Sequence, residues 1–221
     1  MKKLERLGEA KAPDGTLLTL YRHDGAYTIR IDGVELMSTR RHNSEDALAT
    51  LVCESLQGLK AARVLIGGLG LGFTLKAALQ TLESDARIDV AELVPEVVEW
   101  NKSPDYQLSA AALSNSRVKL QQIDVMKVIQ KSPGSFDAIM LDVDNGAVPL
   151  TTRGNAALYK SGGIHFAVAA LRPNGQIAYW SANDDNALET SMQQAGLKVQ
   201  RHSVRAHATS GPYHTIYVGQ V

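Results

Sequence analysis

The sequence predicts an α/β fold: a Rossmann-like, doubly wound, mostly parallel sheet with an antiparallel C-terminal edge strand, preceded by a small antiparallel β-hairpin region. From residue 62 onward, apolar runs alternate with runs of helical period, which is typical of parallel strands and their covering helices. The run VLIGGLGLGF at 64–73 places a glycine-rich turn between the first such strand and helix. Upstream, Asp24-Gly25 and Asp32-Gly33 separate strand-like runs and favour tight hairpins.

Residues 1–42 are predicted to form the small N-terminal β region, with strands at TLLTLYR, AYTIRI and VELMS. Residues 43–221 are predicted to form the Rossmann-like domain. Its first helix covers HNSEDALATLVCESLQGLK. Asn43 or Ser44 is expected to cap the start of this helix, and Gly58 is expected to end it.

Beyond residue 62, the apolar residues of each short segment follow either a strand-like or a helical pattern. The expected strands are RVLIGG, RIDVAEL, RVKLQQI, FDAIMLDV and GQIAYWS; the expected helices are GFTLKAALQTL, PEVVEWNK, VMKVIQK, HFAVAAL and DNALETSMQQAG. The tripeptide PNG at 173–175 predicts a turn before the fifth strand. KVQRHSVRA and HTIYVGQ follow each other without a helix, so they are expected to pair antiparallel at the edge.

Composition excludes several classes of function. The 221 residues carry 23 basic and 23 acidic side chains, and this lack of a basic excess argues against a nucleic-acid partner. No run of about 18 apolar residues predicts a membrane span, and the N-terminus lacks a signal-peptide pattern. A cytoplasmic location is therefore expected. Cys53 is the only cysteine, so no internal disulfide can form, and it is expected to be a buried, inert thiol.

Four successive parallel strands are followed by glycines or acids. Because the carboxyl ends of parallel strands meet at one edge of a sheet, these groups are expected to line one cleft. Glycines allow close approach of a ligand, and an acid about twenty residues further on can accept hydrogen bonds from ribose hydroxyls. The pattern predicts a nucleoside-binding cleft formed by Gly68, Gly70, Gly72, Glu92, Asp124 and Asp142.

The loop lacks the third glycine of the usual dinucleotide-binding pattern, and this bears on which nucleoside the cleft binds. A dinucleotide site usually has G-x-G-x-x-G for the pyrophosphate, but the third position here is Phe73. The cleft offers acids, and Lys76 is the only nearby basic residue. A cationic or neutral ligand such as a sulfonium nucleoside is favoured. A dinucleotide oxidoreductase is disfavoured, and binding of a reduced nicotinamide nucleotide would revive it.

The segments VLIGGLGLGFTLKAAL, VAELVPEVVEWNK, QQIDVMKVI, FDAIMLDVDNGA and ALYKSGGIHFAVAALRPNG resemble those of spermidine synthases, within the class I S-adenosylmethionine-dependent methyltransferase fold. The resemblance covers most of the chain, including the N-terminal hairpins. It implies S-adenosylmethionine or decarboxylated S-adenosylmethionine as the donor substrate and a small-molecule acceptor such as a polyamine. It also implies that no metal is needed and that a homodimer is possible.

The resemblance also implies residue roles: Glu92 holds the ribose, Asp124 sits by the adenine and Asp142 faces the reacting amine. Asp144 could steer a cationic acceptor, and His42, ahead of the first long helix, could contact it. The expected donor site is Gly68, Leu69, Gly70, Gly72, Glu92, Leu93, Asp124 and Val125; the catalytic residues are Asp142 and Asp144; the substrate residues are Asn145, Tyr159, His42 and Asp46.

Several positions depart from the spermidine synthase pattern. Leu71 replaces the loop aspartate that grips the aminopropyl amine, and Asn145 replaces the second aspartate of the DxxDP motif. Met37 and Asp46 replace a glutamine and a tyrosine. An ammonium facing Leu71 loses a charge-assisted hydrogen bond worth about 1.5–3 kcal/mol. Glu45 or Asp46 could instead bind a cation.

These departures leave three functions open. The favoured one is a spermidine-synthase-like transferase that moves an alkyl group from an S-adenosylmethionine-type sulfonium to a small acceptor, with an amine acceptor expected and methyl transfer slightly favoured. The alternatives are an aminopropyltransferase of polyamine biosynthesis and a non-catalytic adenosyl-nucleoside-binding protein. Asp142 disfavours the last, because a sensor does not need it. His202, His207 and His214 are too scattered to suggest a metal site.

Overall fold

The computed structural model describes residues 3–143 and 155–221, which form two β-sheets and seven α-helices. The strands are β1 (Glu5–Lys11), β2 (Leu17–His23), β3 (Ala26–Ile31), β4 (Val34–Ser38), β5 (Arg63–Gly67), β6 (Arg87–Glu92), β7 (Val118–Gln122), β8 (Phe136–Leu141), β9 (Leu171–Ser181), β10 (Lys198–Arg205) and β11 (Tyr213–Gln220). The helices are α1 (Asn43–Cys53), α2 (Phe73–Thr81), α3 (Pro95–Lys102), α4 (Ala110–Leu113), α5 (Val125–Gln130), α6 (Ser161–Ala170) and α7 (Asn186–Gln194).

The N-terminal sheet is antiparallel, with strand order β1-β2-β3-β4. Asp24 and Asp32 have positive φ, as do the glycines that follow them, so the predicted hairpin turns are confirmed. Strand β1 has no counterpart among the predicted strands. The inner face of this sheet shares a core with Trp100 of α3 and with Leu71 of the glycine loop. Because this core is shared, the boundary of two domains at residue 42 stays a prediction.

The second sheet has seven strands in the order β10-β11-β9-β8-β5-β6-β7. The five strands from β9 to β7 are parallel, whereas β11 is antiparallel to both β9 and β10. The predicted fold class and the antiparallel C-terminal edge are confirmed. Gly67, the last residue of β5, pairs with Ala91 of β6 and Leu141 of β8. This register brings the loop after β5 level with Glu92 and Asp142.

Two local expectations are wrong. Helix α1 begins after His42 without a side-chain cap, because the Asn43 amide donates to the Arg205 carbonyl (2.9 Å) and the Ser44 hydroxyl turns into the protein. The PNG segment does not separate α6 from β9. It lies within β9, where the register with β8 jumps from Phe136 to Ala138, and Asn174 has φ 63°.

The buried face of α1 ends at Cys53. The thiol is fully buried, and burial raises its pKa to about 12, as expected for an inert core cysteine. Within the described residues, no helix combines the length and the apolar character that crossing a membrane requires.

Candidate functional site

A cavity of about 280 Å³ opens at the carboxyl ends of β5, β6 and β8, close to the ~300–1,000 Å³ of typical small-molecule pockets. The N-terminal sheet, the start of α1 and the ends of β9 and β11 complete its wall. Its polar and loop residues are Glu35, Arg41, Glu45, Gly68, Leu69, Gly70, Glu92, Leu93, Asp124, Val125, Asp142 and His214.

The three glycines of the loop have different neighbours. Gly68 has φ 86°, and a Cβ there would overlap the carbonyl oxygen of Asp142. Gly72 has φ 79°, and its Cβ would lie 2.5 Å from the Ser109 side chain, away from the cavity wall. Gly70 lines the cavity. Gly68 lines the cavity as well, whereas Gly72 does not. Close packing within the protein therefore accounts for Gly72, and Gly68 and Gly70 are positioned for close approach of a ligand.

Replacing Gly68 with alanine should lower the free energy of unfolding by more than the cost of placing an alanine in a left-handed backbone conformation. Gly58 is a matched control, because it also has positive φ, 79°, but no atom lies within 4 Å of the position that a Cβ would take there. Left-handed backbone costs about 1–2 kcal/mol, and overpacking adds about 1–3 kcal/mol. Urea unfolding should give a larger loss for Gly68→Ala than for Gly58→Ala. Equal losses would contradict the close approach of Asp142.

Glu92 holds the glycine loop in place. Its Oε2 accepts from the Leu69 N–H and its Oε1 from the Val94 N–H, each at 2.8 Å. Burial raises the pKa of Glu92, and these N–H groups oppose that effect. The residue is 8% exposed and lines the cavity. The same carboxylate therefore fixes the loop and faces the cavity, where its remaining lone pairs can accept hydrogen bonds from hydroxyl groups.

Asp124 caps helix α5, because its Oδ1 accepts from the Met126 N–H at 2.9 Å. The helix-cap interpretation and the cavity interpretation both hold, since Asp124 also lines the cavity. Val125 and Leu93 lie in the same wall and add apolar surface beside the acids.

Asp142 and Glu45 line the same cavity, and the Asp142 charge acts on Glu45. The Thr74 hydroxyl donates to Asp142 Oδ2 at 3.0 Å and lies 3.4 Å from the Glu45 carbonyl oxygen. Burial raises the pKa of Asp142 to about 6, and Thr74 opposes it. Burial and then the Asp142 charge raise the pKa of Glu45 to about 8. This carboxylate pair binds a proton readily, and a cation placed between the two groups would replace that proton.

The cavity wall is rich in carboxyl groups. Among the described lining residues are five carboxylates, on Glu35, Glu45, Glu92, Asp124 and Asp142, and one guanidinium, on Arg41. Arg41 forms an ion pair with Glu35, so its charge is already matched. An excess of carboxylates in a recessed site attracts cations. In the described part of the chain, no group of three or more His, Cys, Asp or Glu side chains is arranged to hold a metal ion.

Three of the predicted substrate residues lie away from this cavity. His42 and Asp46 line a separate hollow of about 290 Å³, which also borders Phe73. There His42 stacks on the Phe73 ring and its Nδ1 lies 2.7 Å from Asp46 Oδ2. Tyr159 is 5% exposed and packs on Tyr179 in the core. Asp144 and Asn145 lie outside the described residues, so their predicted roles stay predictions.

Sequence reasoning misses several residues that the fold brings to the carboxylate pair. Thr74 gives no signal beyond its place in the first turn of α2, and the sequence suggests only a helix cap at Ser44. His214 looks like one of several scattered histidines, although it lines the cavity. Glu45 is suggested only as a possible cation binder. Its pairing with Asp142 depends on how α1 packs against α2, which no local pattern reveals.

Leu71, which replaces the loop aspartate of the spermidine synthase pattern, lies in an apolar part of the cavity wall. Leu71 is 2% exposed and belongs to the core under the N-terminal sheet, and it also contributes to the cavity wall beside Met37. The Met37 sulfur would lie 2.9 Å from a Cβ on Gly70. This part of the cavity is therefore apolar and offers neither a carboxylate nor an amide from these two positions.

The sheet topology, the glycine loop and the strand-end acids define a protein of the class I methyltransferase fold. Among solved structures, the chain is similar to a spermidine synthase in complex with the transition state analogue AdoDATO (13% identity, 99% of this chain, 73% of that chain, TM-score 0.75). It is likewise similar to Thermotoga maritima spermidine synthase (14% identity, 99% of this chain, 74% of that chain, TM-score 0.76). A third similar structure is a probable spermidine synthase from Corynebacterium glutamicum ATCC 13032 (16% identity, 96% of this chain, 79% of that chain, TM-score 0.67). No family model and no curated protein matches the sequence. The predicted likeness to the spermidine synthase fold is confirmed.

Proposed function

We propose that this protein transfers an alkyl group from an S-adenosyl sulfonium donor to an amine. The observation that carries the proposal is the pair of carboxylates, Glu45 and Asp142, in the wall of the same cavity as the glycine loop. An ammonium group and a sulfonium are both cations, and half-buried carboxylates bind cations more strongly than solvated ones. The cavity thus provides a nucleoside end and a cation end.

The nucleoside end is assigned to the residues predicted from the sequence. Glu92 would accept hydrogen bonds from the ribose hydroxyls, and Asp124 would sit by the adenine, with Leu69, Leu93 and Val125 packing around the rings. Gly70 would allow the backbone to approach the donor closely. Each of these residues lines the cavity, which supports the assignment.

The chemical step needs little from the protein beyond positioning, because the sulfonium carries its own leaving group. The amine nitrogen attacks the carbon bound to sulfur, so a C–N bond forms and the C–S bond breaks with its electron pair going to sulfur. The amine proton passes to Asp142, which acts as a general base. Asp144 would steer a cationic acceptor, as expected from its place after β8.

The structural neighbours favour an aminopropyl group as the one transferred. All three are described as spermidine synthases or a probable one. We therefore propose aminopropyl transfer from decarboxylated S-adenosylmethionine, the alternative in the sequence-based prediction, ahead of methyl transfer.

Methyl transfer is the second candidate, and the apolar wall at Leu71 and Met37 favours it. Neither side chain can hydrogen-bond the terminal amine of an aminopropyl group. The full donor has a longer amino-acid tail, and backbone groups of the Gly67–Gly72 loop could bind that tail.

Calorimetric binding of the two by-products separates these candidates. Methylthioadenosine is left after aminopropyl transfer and S-adenosylhomocysteine after methyl transfer, and both should be titrated into the same sample, with adenosine as a tail-free control. We expect methylthioadenosine to bind at least about tenfold more tightly, a difference of about 1.4 kcal/mol. Preference for S-adenosylhomocysteine would select methyl transfer. If neither by-product binds, the transferase proposal fails.

A further inference from the structure

A row of hydrogen-bonded side chains runs from the carboxylate pair to strand β11. The Ser44 hydroxyl lies 2.6 Å from Glu45 Oε2 and 3.0 Å from His214 Nδ1. Ser44 is fully buried, and its neighbours on both sides line the cavity. Helix α1 and strand β11, 170 residues apart in sequence, are joined at this point by three proton-carrying groups.

The row has two self-consistent proton arrangements, because a serine hydroxyl has one proton to donate. When Glu45 is ionised, Ser44 donates to Glu45, and His214 must carry its proton on Nδ1 and donate it to Ser44. When Glu45 is protonated, Glu45 donates to Ser44, and Ser44 donates to an unprotonated Nδ1 of His214. Passing from the second arrangement to the first moves one proton from Glu45 to His214.

The surroundings of His214 suit it to pass that proton on. Its ring packs edge-on against Trp180, with 4.6 Å between centroids, and the residue is half-buried at the cavity edge. Burial and the Arg41 charge lower the pKa of His214. The ring is therefore neutral at neutral pH, its unprotonated nitrogen accepts from Ser44, and a proton that arrives from Glu45 is released rather than held. The charges that act on the row are those of Arg41 on His214 and of Asp142 and Asp46 on Glu45. Arg205 on β10 lies over the Tyr213 ring.

We propose that Ser44 and His214 form a proton relay that empties the Glu45–Asp142 pair after each transfer. The proposal rests on the proposed function, since an amine acceptor releases one proton per C–N bond formed. That proton moves from Asp142 to Glu45, from Glu45 to Ser44 as the Ser44 proton passes to His214 Nδ1, and from His214 Nε2 to water. No reactant other than water is needed, and the pair returns to the charge that binds the next amine. Exchange of the His214 ring protons with water, which removes the Nδ1 proton and restores the one on Nε2, resets the row before the next transfer.

The relay is tested first on the ligand-free protein by long-range ¹H–¹⁵N NMR of the histidine rings. We expect His214 to change from the Nε2–H to the Nδ1–H tautomer between about pH 6.5 and 9.5, as Glu45 ionises. Ser44→Ala and Glu45→Gln should each abolish the change. His165 is an internal control, because its Nδ1 lies 2.7 Å from the Ser161 carbonyl, which fixes one tautomer. A His214 tautomer that stays constant, or that changes equally in Ser44→Ala, would overturn the relay.

The second test asks whether the relay serves turnover, with decarboxylated S-adenosylmethionine and 1,4-diaminobutane as the assay pair. In His214→Asn the side-chain amide can still hydrogen-bond Ser44 but cannot accept a proton. We expect kcat to fall with nearly constant KM, by less than the roughly 10²- to 10⁴-fold that a general base itself contributes, and added imidazole to restore part of the rate. His165→Asn, on the exposed face of α6, is the matched control.

Unchanged kcat in His214→Asn, or a loss that imidazole does not relieve, would overturn the relay in turnover. Failure of the proposed function has a different signature. In that case neither methylthioadenosine nor S-adenosylhomocysteine binds, while the tautomer measurement on the ligand-free protein still reports whether the row conducts a proton.

Discussion

Replacing Asp142 with asparagine is expected to lower kcat by roughly 10²- to 10⁴-fold, the range that general-base catalysis usually contributes. Asparagine keeps the shape of the side chain, and its Oδ1 can still accept the Thr74 hydroxyl that now lies 3.0 Å from Asp142 Oδ2. What is lost is the ability to take the amine proton. Binding of methylthioadenosine should change by less than about threefold, and calorimetry beside steady-state kinetics measures both quantities.

The control for this experiment lies at the other end of the same strand. Asp137 of β8 accepts from the Arg63 N–H (2.7 Å) and pairs with Arg172 (2.8 Å), away from the cavity. Asp137→Asn should weaken folding and leave kcat unchanged. If Asp142→Asn weakens by-product binding while turnover per bound donor persists, Asp142 is a donor-binding residue and the general-base role is wrong.

Replacing Glu45 with glutamine is expected to flatten the dependence of stability on pH. The folded-state pKa of Glu45 is raised to about 8 from a usual 4.5. At pH values between these two, the folded protein therefore binds more protons than the unfolded chain. The free energy of unfolding of the wild type should therefore fall as pH rises from about 5 to 8, by up to about 1.4 kcal/mol per pH unit. Glutamine cannot ionise, so the variant should lose this slope.

Urea unfolding of the ligand-free protein at pH 5, 6, 7 and 8 measures the slope. Glu54→Gln is the matched control, because Glu54 is exposed one residue beyond α1 and should leave the slope unchanged. The raised pKa of Asp142 gives a slope of the same sign between about pH 4 and 6. The slope between pH 6 and 8 therefore comes mainly from Glu45. A wild-type stability that rises across that interval would contradict the carboxylate pair.

Much of the fold can be predicted from local patterns. The period of each segment identifies ten of the eleven strands that the structure describes, and Asp-Gly pairs locate the hairpin turns. Strand β1 escapes prediction because ERLGEAK has neither a strong apolar alternation nor a bounding turn pair before it. The PNG turn is misplaced because β8 and β9 absorb it as a register jump, which depends on the partner strand and not on the tripeptide.

The candidate site is predictable where the strand ends themselves carry it. Glu92, Asp124 and Asp142 follow parallel strands, and the topology of a doubly wound sheet brings such positions together. The prediction for His42 and Asp46 rests on their position near the start of α1, yet the helix turns them toward the hollow beside Phe73. The prediction for Tyr159, which the sequence motif suggests, stays a prediction, and the structure places its ring in the core against Tyr179.

The sequence by itself determined the fold class, the glycine loop and the acids at the strand ends, because each follows from periodicity and from the geometry common to parallel sheets. Only the tertiary structure decided that Glu45 and Asp142 line the same cavity and that Ser44 joins Glu45 to His214. Those contacts arise where the buried faces of α1, α2, β8 and β11 pack together. Ser44 and His214 are 170 positions apart in the sequence, so no local pattern could reveal their contact.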